Sequence, residues 1–405
     1  MRRPYAFLRA HAAKLGLLAV LSWPLAATFY AGAAQNTENR HLAPAPALPS
    51  SWSAFLALPA QTDAWINDHF GMRAALVALN NHLRFAAFRE FPSIQMAAGR
   101  NGRLFLAAHG TNVEPYSAAT AVCGGKVSAS PGTTAYFNQL FADVARMGFQ
   151  PKLLIVPSAP VVYSGDMPAW LTPRCAASQT AVTGVLNDPA LSPAARAGIF
   201  YPLEEARRLA GSEDMFPKTW FHWAGPALGE MARLSLEHFW GPLPTPGAPL
   251  PTKSTWMLSD VNFLFPGVEL SSLIVQPDLD AAHIAACYGP QCFPEFAAMQ
   301  AAPQDVSRFH NPAAPPRRLL IISDSFGSKV SAWYARYYGE VEQVATNSFE
   351  HMSDADLALV RQRLFRDAPH TDLLLLYHDG GAVYNTLKFG MQRLHQQAPA
   401  VLAQH

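Results

Sequence analysis

RRLLIISDSFGSKVSAWYARYYG, residues 317–339, decides the fold. Residues 317–323 end in four consecutive apolar side chains, Leu319 to Ile322, and then Ser323. A short apolar run with no alternation is the signature of a strand covered on both faces. Asp324 and Ser325 break the run, and residues 326–339 read as the helix that the strand feeds. The same rhythm extends outward in both directions. Residues 152–157 (KLLIVP) and 371–378 (TDLLLLYH) read as two more buried strands, and VEQVAT (341–346) as a short one. Helices are predicted at 133–149, 203–211, 224–240 and 354–366. Strands alternating with helices predict an α/β domain with a parallel, doubly wound sheet.

Bulk properties agree. The chain has 405 residues, 50% hydrophobic and 15% charged, which is enough apolar material for a large core and argues against disorder. With 30 Lys and Arg against 29 Asp and Glu, the formal net charge is +1, so no nucleic-acid partner is implied. The 34 prolines predict stiff loops. They crowd residues 241–316, read as an irregular insertion, part strand-rich or loop-dominated.

The N-terminus reads as an export segment. Arg2, Arg3, Arg9 and Lys14 precede an uncharged stretch, Leu15 to Ala34. Twenty residues at about 1.5 Å each match a bilayer core of about 30 Å. Residues 1–34 are therefore expected to be a signal peptide, ending in the small residues 31–34, or an inner-membrane anchor through residues 15–34. The Pro- and Ala-rich stretch 35–60 follows as a linker, and residues 61–405 as the domain. The four cysteines, Cys123, Cys175, Cys287 and Cys292, suit an oxidising compartment and two disulfides. Three pairings are open. If Cys287 closes a tight loop to Cys292, Cys123 is left to pair with Cys175. Neither the cysteine spacing nor a nearby histidine pair suggests a metal site.

Ser325 is the sharpest chemical candidate. A serine at a strand-to-helix turn lies at the carboxyl edge of the sheet, where open α/β folds bind ligands. The helix N-terminus there favours negative charge. The same residues also suit a plain helix cap. His222, in FPKTWFHWAGP, is a candidate base held among Trp220, Phe221 and Trp223, or else a packed core histidine.

Four stretches, in order over about residues 38–380, resemble the alginate O-acetyltransferase family, an SGNH-hydrolase-like group of periplasmic proteins. NRHLAPAPALP with WINDHFGMRAALVALNNHLRF is similar to the family's entry segment. GRNGRLFLA (99–107) resembles its Gly-Arg-Asp-Gly-Trp-Leu-Phe motif. KTWFHW (218–223) lies where the family has Lys-Thr-Asp-Thr-His-Trp, and LLIISDSFG resembles its Gly-Asp-Ser-Phe block. The resemblance implies an SGNH-like fold, Ser325 as nucleophile and His222 as base. It also implies a polysaccharide substrate, no cofactor, and an acetyl group supplied by a membrane-bound O-acyltransferase partner.

The chain departs from the family at the acid. Trp220 stands where an aspartate would orient His222, and Ser323 replaces the glycine before Asp324. Asp214 and Asp379 are candidate replacements for the acid, a backbone carbonyl is another, and a non-catalytic polysaccharide-binding subunit is the third reading. An esterase on the same residues is a further alternative. Asp324, beside the serine, is expected to point away from His222. Asn347 is a candidate second oxyanion donor. Trp220, Trp223 and Trp333 are candidate sugar-stacking faces, weighed against core packing.

Overall fold

In a computed structural model, the structure describes residues 3–30, 42–91, 93–109, 113–124, 132–242, 249–383 and 386–395. The chain divides into two compact units. The smaller, residues 1–93 with 261–270, contains the helices Arg3–Tyr30, Trp52–His69 and Arg73–Phe88. Among the described residues no helix is long and apolar enough to cross a membrane. The expected export segment ends at residues 31–34, outside the described residues, as does the linker up to residue 41. The remainder of that linker gives way to helix at Trp52, because the Ser51 side chain caps it by accepting from Ala54 N at 3.1 Å.

The larger unit, residues 94–260 with 271–405, holds the sheet and both disulfides. Its strands are β1 (Met96–Ala98), β2 (Leu104–Leu106), β3 (Lys152–Val156), β4 (Ile199–Phe200), β5 (Thr252–Leu258), β6 (Ser271–Pro277), β7 (Ala285–Tyr288), β8 (Val306–His310), β9 (Arg318–Ser323), β10 (Glu340–Ala345) and β11 (Thr371–His378). Seven of them form one sheet in the order β4-β3-β11-β9-β10-β8-β7. The run from β4 to β10 is parallel; β8 pairs antiparallel with β10, and β7 antiparallel with β8. The wholly parallel sheet expected from sequence is therefore mixed. The residues read as an irregular insertion supply its antiparallel edge, and β5 and β6 form a separate hairpin.

The pleat explains why the strands are apolar throughout. Leu154, Val156, Leu319, Ile321, Leu374 and Leu376 point into one core; Leu153, Ile155, Leu320, Ile322, Leu373 and Leu375 point into the other. The first core is roofed by the helices Ala227–Trp240 and Ser325–Tyr334, through Leu228, Met231, Phe326 and Val330. The second is roofed by Thr133–Arg146, Asp354–Leu364 and Thr386–His395, through Phe137, Leu140, Val360 and Met391. Each buried leucine contributes about 1.5–3 kcal/mol, so two full faces supply a large driving force. Cys123 pairs with Cys175 and Cys287 with Cys292.

β9 is central, flanked by β11 and β10, so the serine that follows it emerges in the middle of the sheet's carboxyl edge. The following helix approaches β9 closely at Gly327. A Cβ there would lie 2.1 Å from Ser323 Oγ, which already accepts from Gln343 Nε2 at 3.2 Å. Gly327→Ala is accordingly expected to lower stability by about 1–3 kcal/mol by overpacking, measurable as a reduced urea midpoint at unchanged slope.

Candidate active site

Ser325 is the first residue of its helix, and Asp324 is the N-cap. The cap is a carboxylate rather than a hydroxyl: Asp324 Oδ1 accepts from Phe326 N at 2.9 Å. Gly327 N donates to the Asp324 carbonyl at 3.1 Å. The Ser325 hydroxyl is thus free of capping work. His222 Nε2 lies 2.7 Å from Ser325 Oγ. His222 comes from the loop that ends before the helix Ala227–Trp240, and the next residue braces it. Trp223, fully buried, donates its indole N–H to the Phe326 carbonyl at 2.8 Å, tying the histidine loop to the serine helix.

The other ring nitrogen finds a carboxylate that sequence reading missed. His222 Nδ1 is 2.6 Å from Asp260 Oδ2. Asp260 also accepts from Phe221 N at 2.9 Å on Oδ1 and from His222 N at 3.0 Å on Oδ2. It sits just past β5, in the insertion, and that segment is stitched to the histidine loop. The Ser259 hydroxyl donates to the Thr219 carbonyl, and Thr219 Oγ1 lies 2.9 Å from Ser272 Oγ on β6. With a carboxylate on Nδ1, the ring carries its proton there and presents the Nε2 lone pair to Ser325. Burial alone would raise the Asp260 carboxyl. The hydrogen bond and charge of His222, with the two backbone N–H groups, nevertheless hold it below its usual 3.8. That environment favours the ionised form of Asp260.

The acids named from sequence stand elsewhere. Asp214 is half-exposed and accepts from Arg103 Nη2 at 3.3 Å and Tyr163 Oη at 3.2 Å. Asp379 is buried beyond β11 and accepts from Ser158 N at 3.1 Å; burial pushes its carboxyl up. Neither bonds to His222. Both expectations are corrected by Asp260, which occupies the position on Nδ1. The backbone-carbonyl alternative falls for the same reason. Asp324 turns away from His222, as its adjacency to the serine predicts. Its Oδ2 lies 2.6 Å from His378 Nδ1 and accepts from His378 N at 2.9 Å. The carboxylate thus holds the serine helix to the end of β11.

His378 titrates above its ordinary value of 6.5. Burial opposes the charge, but Asp324 and, behind it, Asp379 outweigh the burial. A histidine whose pKa is raised on folding adds stability that is full below the unfolded value and is lost as pH rises through the folded one. The stability gap between wild type and His378→Gln is therefore expected to shrink as pH rises above about 6.5, measured by urea unfolding at a series of pH values. A constant gap would contradict the charged pair.

Aromatic residues near the site divide between core and cavity. Trp223 and Trp333 are core side chains rather than sugar-stacking faces. Trp333 packs so closely on Gly229 that a Cβ there would come within 2.7 Å of its ring. Trp220 is 5% exposed and packs with Ala224 and Ile274, yet it borders a cavity described below. Asn347 stands two residues past Ala345, which pairs with Ser323, so it lies at the same sheet edge. It is exposed and bonds to none of Ser325, His222 and Asp260. No cluster of metal-ligating residues occurs among the described residues.

No protein-family model matches the chain, and no curated protein matches it in sequence. Solved structures similar to it include a DHHW family protein from Eubacterium siraeum, at 13% identity over 73% of this chain and 98% of that one, with a TM-score of 0.46. The AlgX protein of Pseudomonas aeruginosa is similar at 15% identity over 75% of this chain and 65% of that one, with a TM-score of 0.32. The O-acetyltransferase domain of Pseudomonas putida AlgJ is similar at 13% identity over 76% of this chain and all of that domain (100%), with a TM-score of 0.38.

Proposed function

We propose that this chain is an SGNH-like O-acyltransferase that moves an acetyl group onto hydroxyls of an exported polysaccharide through an acyl-Ser325 intermediate. The observation that carries the reading is the unbroken line Asp260–His222–Ser325, with contacts of 2.6 and 2.7 Å. Such a line is what activates a serine. In the first half-reaction Ser325 Oγ attacks the acyl carbonyl while His222 Nε2 takes its proton. The leaving oxygen of the donor then departs with that proton. In the second, an acceptor hydroxyl gives its proton to His222 and attacks the acyl carbon, and Ser325 Oγ leaves and is reprotonated. The Ser325 amide, at the positive end of the helix, supports the oxyanion. Asp260 fixes the tautomer and stabilises the imidazolium.

The two disulfides support a periplasmic setting. An inner-membrane tether and a membrane-bound O-acyltransferase that supplies the acetyl group belong to the same proposal, on the strength of the sequence resemblance. Asp260 removes the main motive for a non-catalytic binding subunit, which was the missing acid.

The test is product analysis with a chromogenic acetyl ester, with and without a polysaccharide acceptor. Acyl transfer predicts ester turnover that depends on Ser325 and His222 and acetyl appearing on the polysaccharide. Turnover with acetate as sole product, whatever the acceptor, would make the protein an esterase. No turnover and no acylation of Ser325 would end the enzymatic reading.

A further inference from the structure

β9 stands between β11 and β10, so Ser325 has two flanks. On the β11 flank lies a cavity of about 420 Å³, bordered by Trp220 and walled by His378, Gly380 and Gly381; none of Ser325, His222 and Asp260 lines it. The other flank, toward β10 and β8, carries a carboxylate that the triad does not use.

That carboxylate is Asp305, the residue before β8. Its carbonyl accepts from Ala345 N at 2.9 Å and from Gln343 Nε2 at 3.3 Å. Ala345 pairs with Ser323, and Gln343 Nε2 also reaches Ser323 Oγ at 3.2 Å. Asp305 and Ser323 therefore share a row at the carboxyl edge of the sheet, two strands apart, roughly 10 Å at ~4.8 Å per strand. Those bonds all use the Asp305 backbone, so the sheet edge does not need the carboxyl. The side chain is exposed and forms no ion pair among the described residues.

The serine helix supplies a cation on the same flank. Ser325, Ser328 and Lys329 share one face of that helix, at spacings of three and four. Lys329 is exposed and, like Asp305, has no ion-pair partner among the described residues. Surrounding protein takes water from the Asp305 carboxyl and raises it above its usual 3.8, while the Lys329 ammonium, the Ser328 hydroxyl and His222 pull against that rise. Asp305 is thus within electrostatic reach of both the base and the serine helix. One free carboxylate and one free ammonium beside the nucleophile offer an acceptor and a donor with no net charge.

We propose that Asp305 and Lys329 hold a neutral sugar of the acceptor by two ring hydroxyls, Asp305 accepting from one and Lys329 donating to another, so that a further hydroxyl meets acyl-Ser325. The inference rests on the acyl-Ser325 reading and deepens it. Hydrogen bonds with one charged partner are the stronger kind, so two of them can orient a ring that is otherwise open to water. A uronate ring would gain Lys329 but bring its carboxylate against Asp305, with Asp324 also in electrostatic reach. Like charge placed against the wrong ligand is a source of selectivity.

Calorimetric titration of Ser325→Ala, in which no turnover complicates binding, tests this with cellotetraose, mannotetraose and tetragalacturonate. At least one neutral tetrasaccharide is expected to bind at least tenfold more tightly than the uronate. Adding Asp305→Ala is expected to weaken that neutral ligand at least tenfold and to narrow its lead over the uronate. Lys329→Met should weaken it several-fold. Asp305→Asn keeps an acceptor oxygen without the charge, and its loss should fall between none and that of Asp305→Ala. Equal or tighter binding of the uronate, or no binding of either neutral ligand, would overturn the proposal. So would neutral binding untouched by Asp305→Ala and Lys329→Met. A merely structural role for Asp305 would weaken all three ligands alike and leave their ratios unchanged, which would also overturn it. Since binding is read without chemistry, these outcomes are separate from a failure of ester turnover in the wild type, which would sink the acyl-enzyme reading instead.

Discussion

Asp260→Asn is expected to lower kcat for an activated acetyl ester by about 10⁴-fold with little change in KM. Loss of the acid from a serine triad leaves the geometry intact but allows the wrong imidazole tautomer. The amide NH₂ would face His222 Nδ1, which would then have to accept, and the proton would move to Nε2, the atom that must receive the serine proton. The amide oxygen, in place of Oδ1, still accepts from Phe221 N, while the His222 N–H loses its acceptor, so a stability loss of about 1 kcal/mol is expected. So small a stability loss beside collapsed turnover would isolate the electrostatic role. A fall of less than about tenfold would mean that His222 is oriented by something else.

Glu342→Ala is expected to destabilise the domain by about 3–5 kcal/mol, because it leaves the buried Arg318 guanidinium without a counter-charge and Arg363 with Glu295 alone. Glu342 is fully buried in β10. It accepts from Arg318 Nε at 2.9 Å and from Arg363 Nη1 and Nη2 at 3.1 and 2.5 Å. Arg318 further donates to the Leu364 carbonyl and to Thr371 Oγ1, both at 3.1 Å, so the cluster joins β9, β10, β11 and the helix Asp354–Leu364. Burial would raise the Glu342 carboxyl, but the two arginines hold it below its usual 4.5. A depressed carboxylate contributes stability that is present above the unfolded pKa and lost as pH falls through the folded one. The cost of Glu342→Ala, read from urea unfolding, should therefore shrink on acidification below about pH 4.5. Arg318 and Ser323 lie at opposite ends of β9, so the folded variant should keep the turnover of wild type. A loss of turnover without loss of stability would contradict this division.

The parallel core was legible because its signal is local. Four consecutive apolar residues in β9 and in β11, each meeting helices on both sides, leave few other readings. The serine was legible for the same reason, since a strand ending in Asp-Ser before a helix names its own position. The acid was not. Asp260 lies 38 residues beyond His222, across the turn that follows a fully exposed strand, and only the pairing of β5 with β6 and the Thr219 contacts bring it back. Local spacing carries no trace of such a contact. Its one sequence signal is Ser259-Asp260 directly after the TKSTWML run in the insertion, two residues able to bind backbone and side chain at a loop edge. Trp220 at the expected acid position was legible as a departure, but its meaning was not. It is a buried side chain bordering a cavity, and the acid comes from another segment. The antiparallel edge was illegible because β7 and β8 are short, four and five residues, and the prolines around them, Pro290, Pro294, Pro303 and Pro312, read as loop.

The most direct test of the triad is the mass of the intact protein after brief exposure to phenylmethanesulfonyl fluoride, followed by peptide mapping. The account predicts one sulfonyl group per chain, on Ser325, absent in Ser325→Ala and formed far more slowly in both His222→Gln and Asp260→Asn. Labelling on a different serine, or labelling of Ser325 at the wild-type rate in both variants, would contradict it.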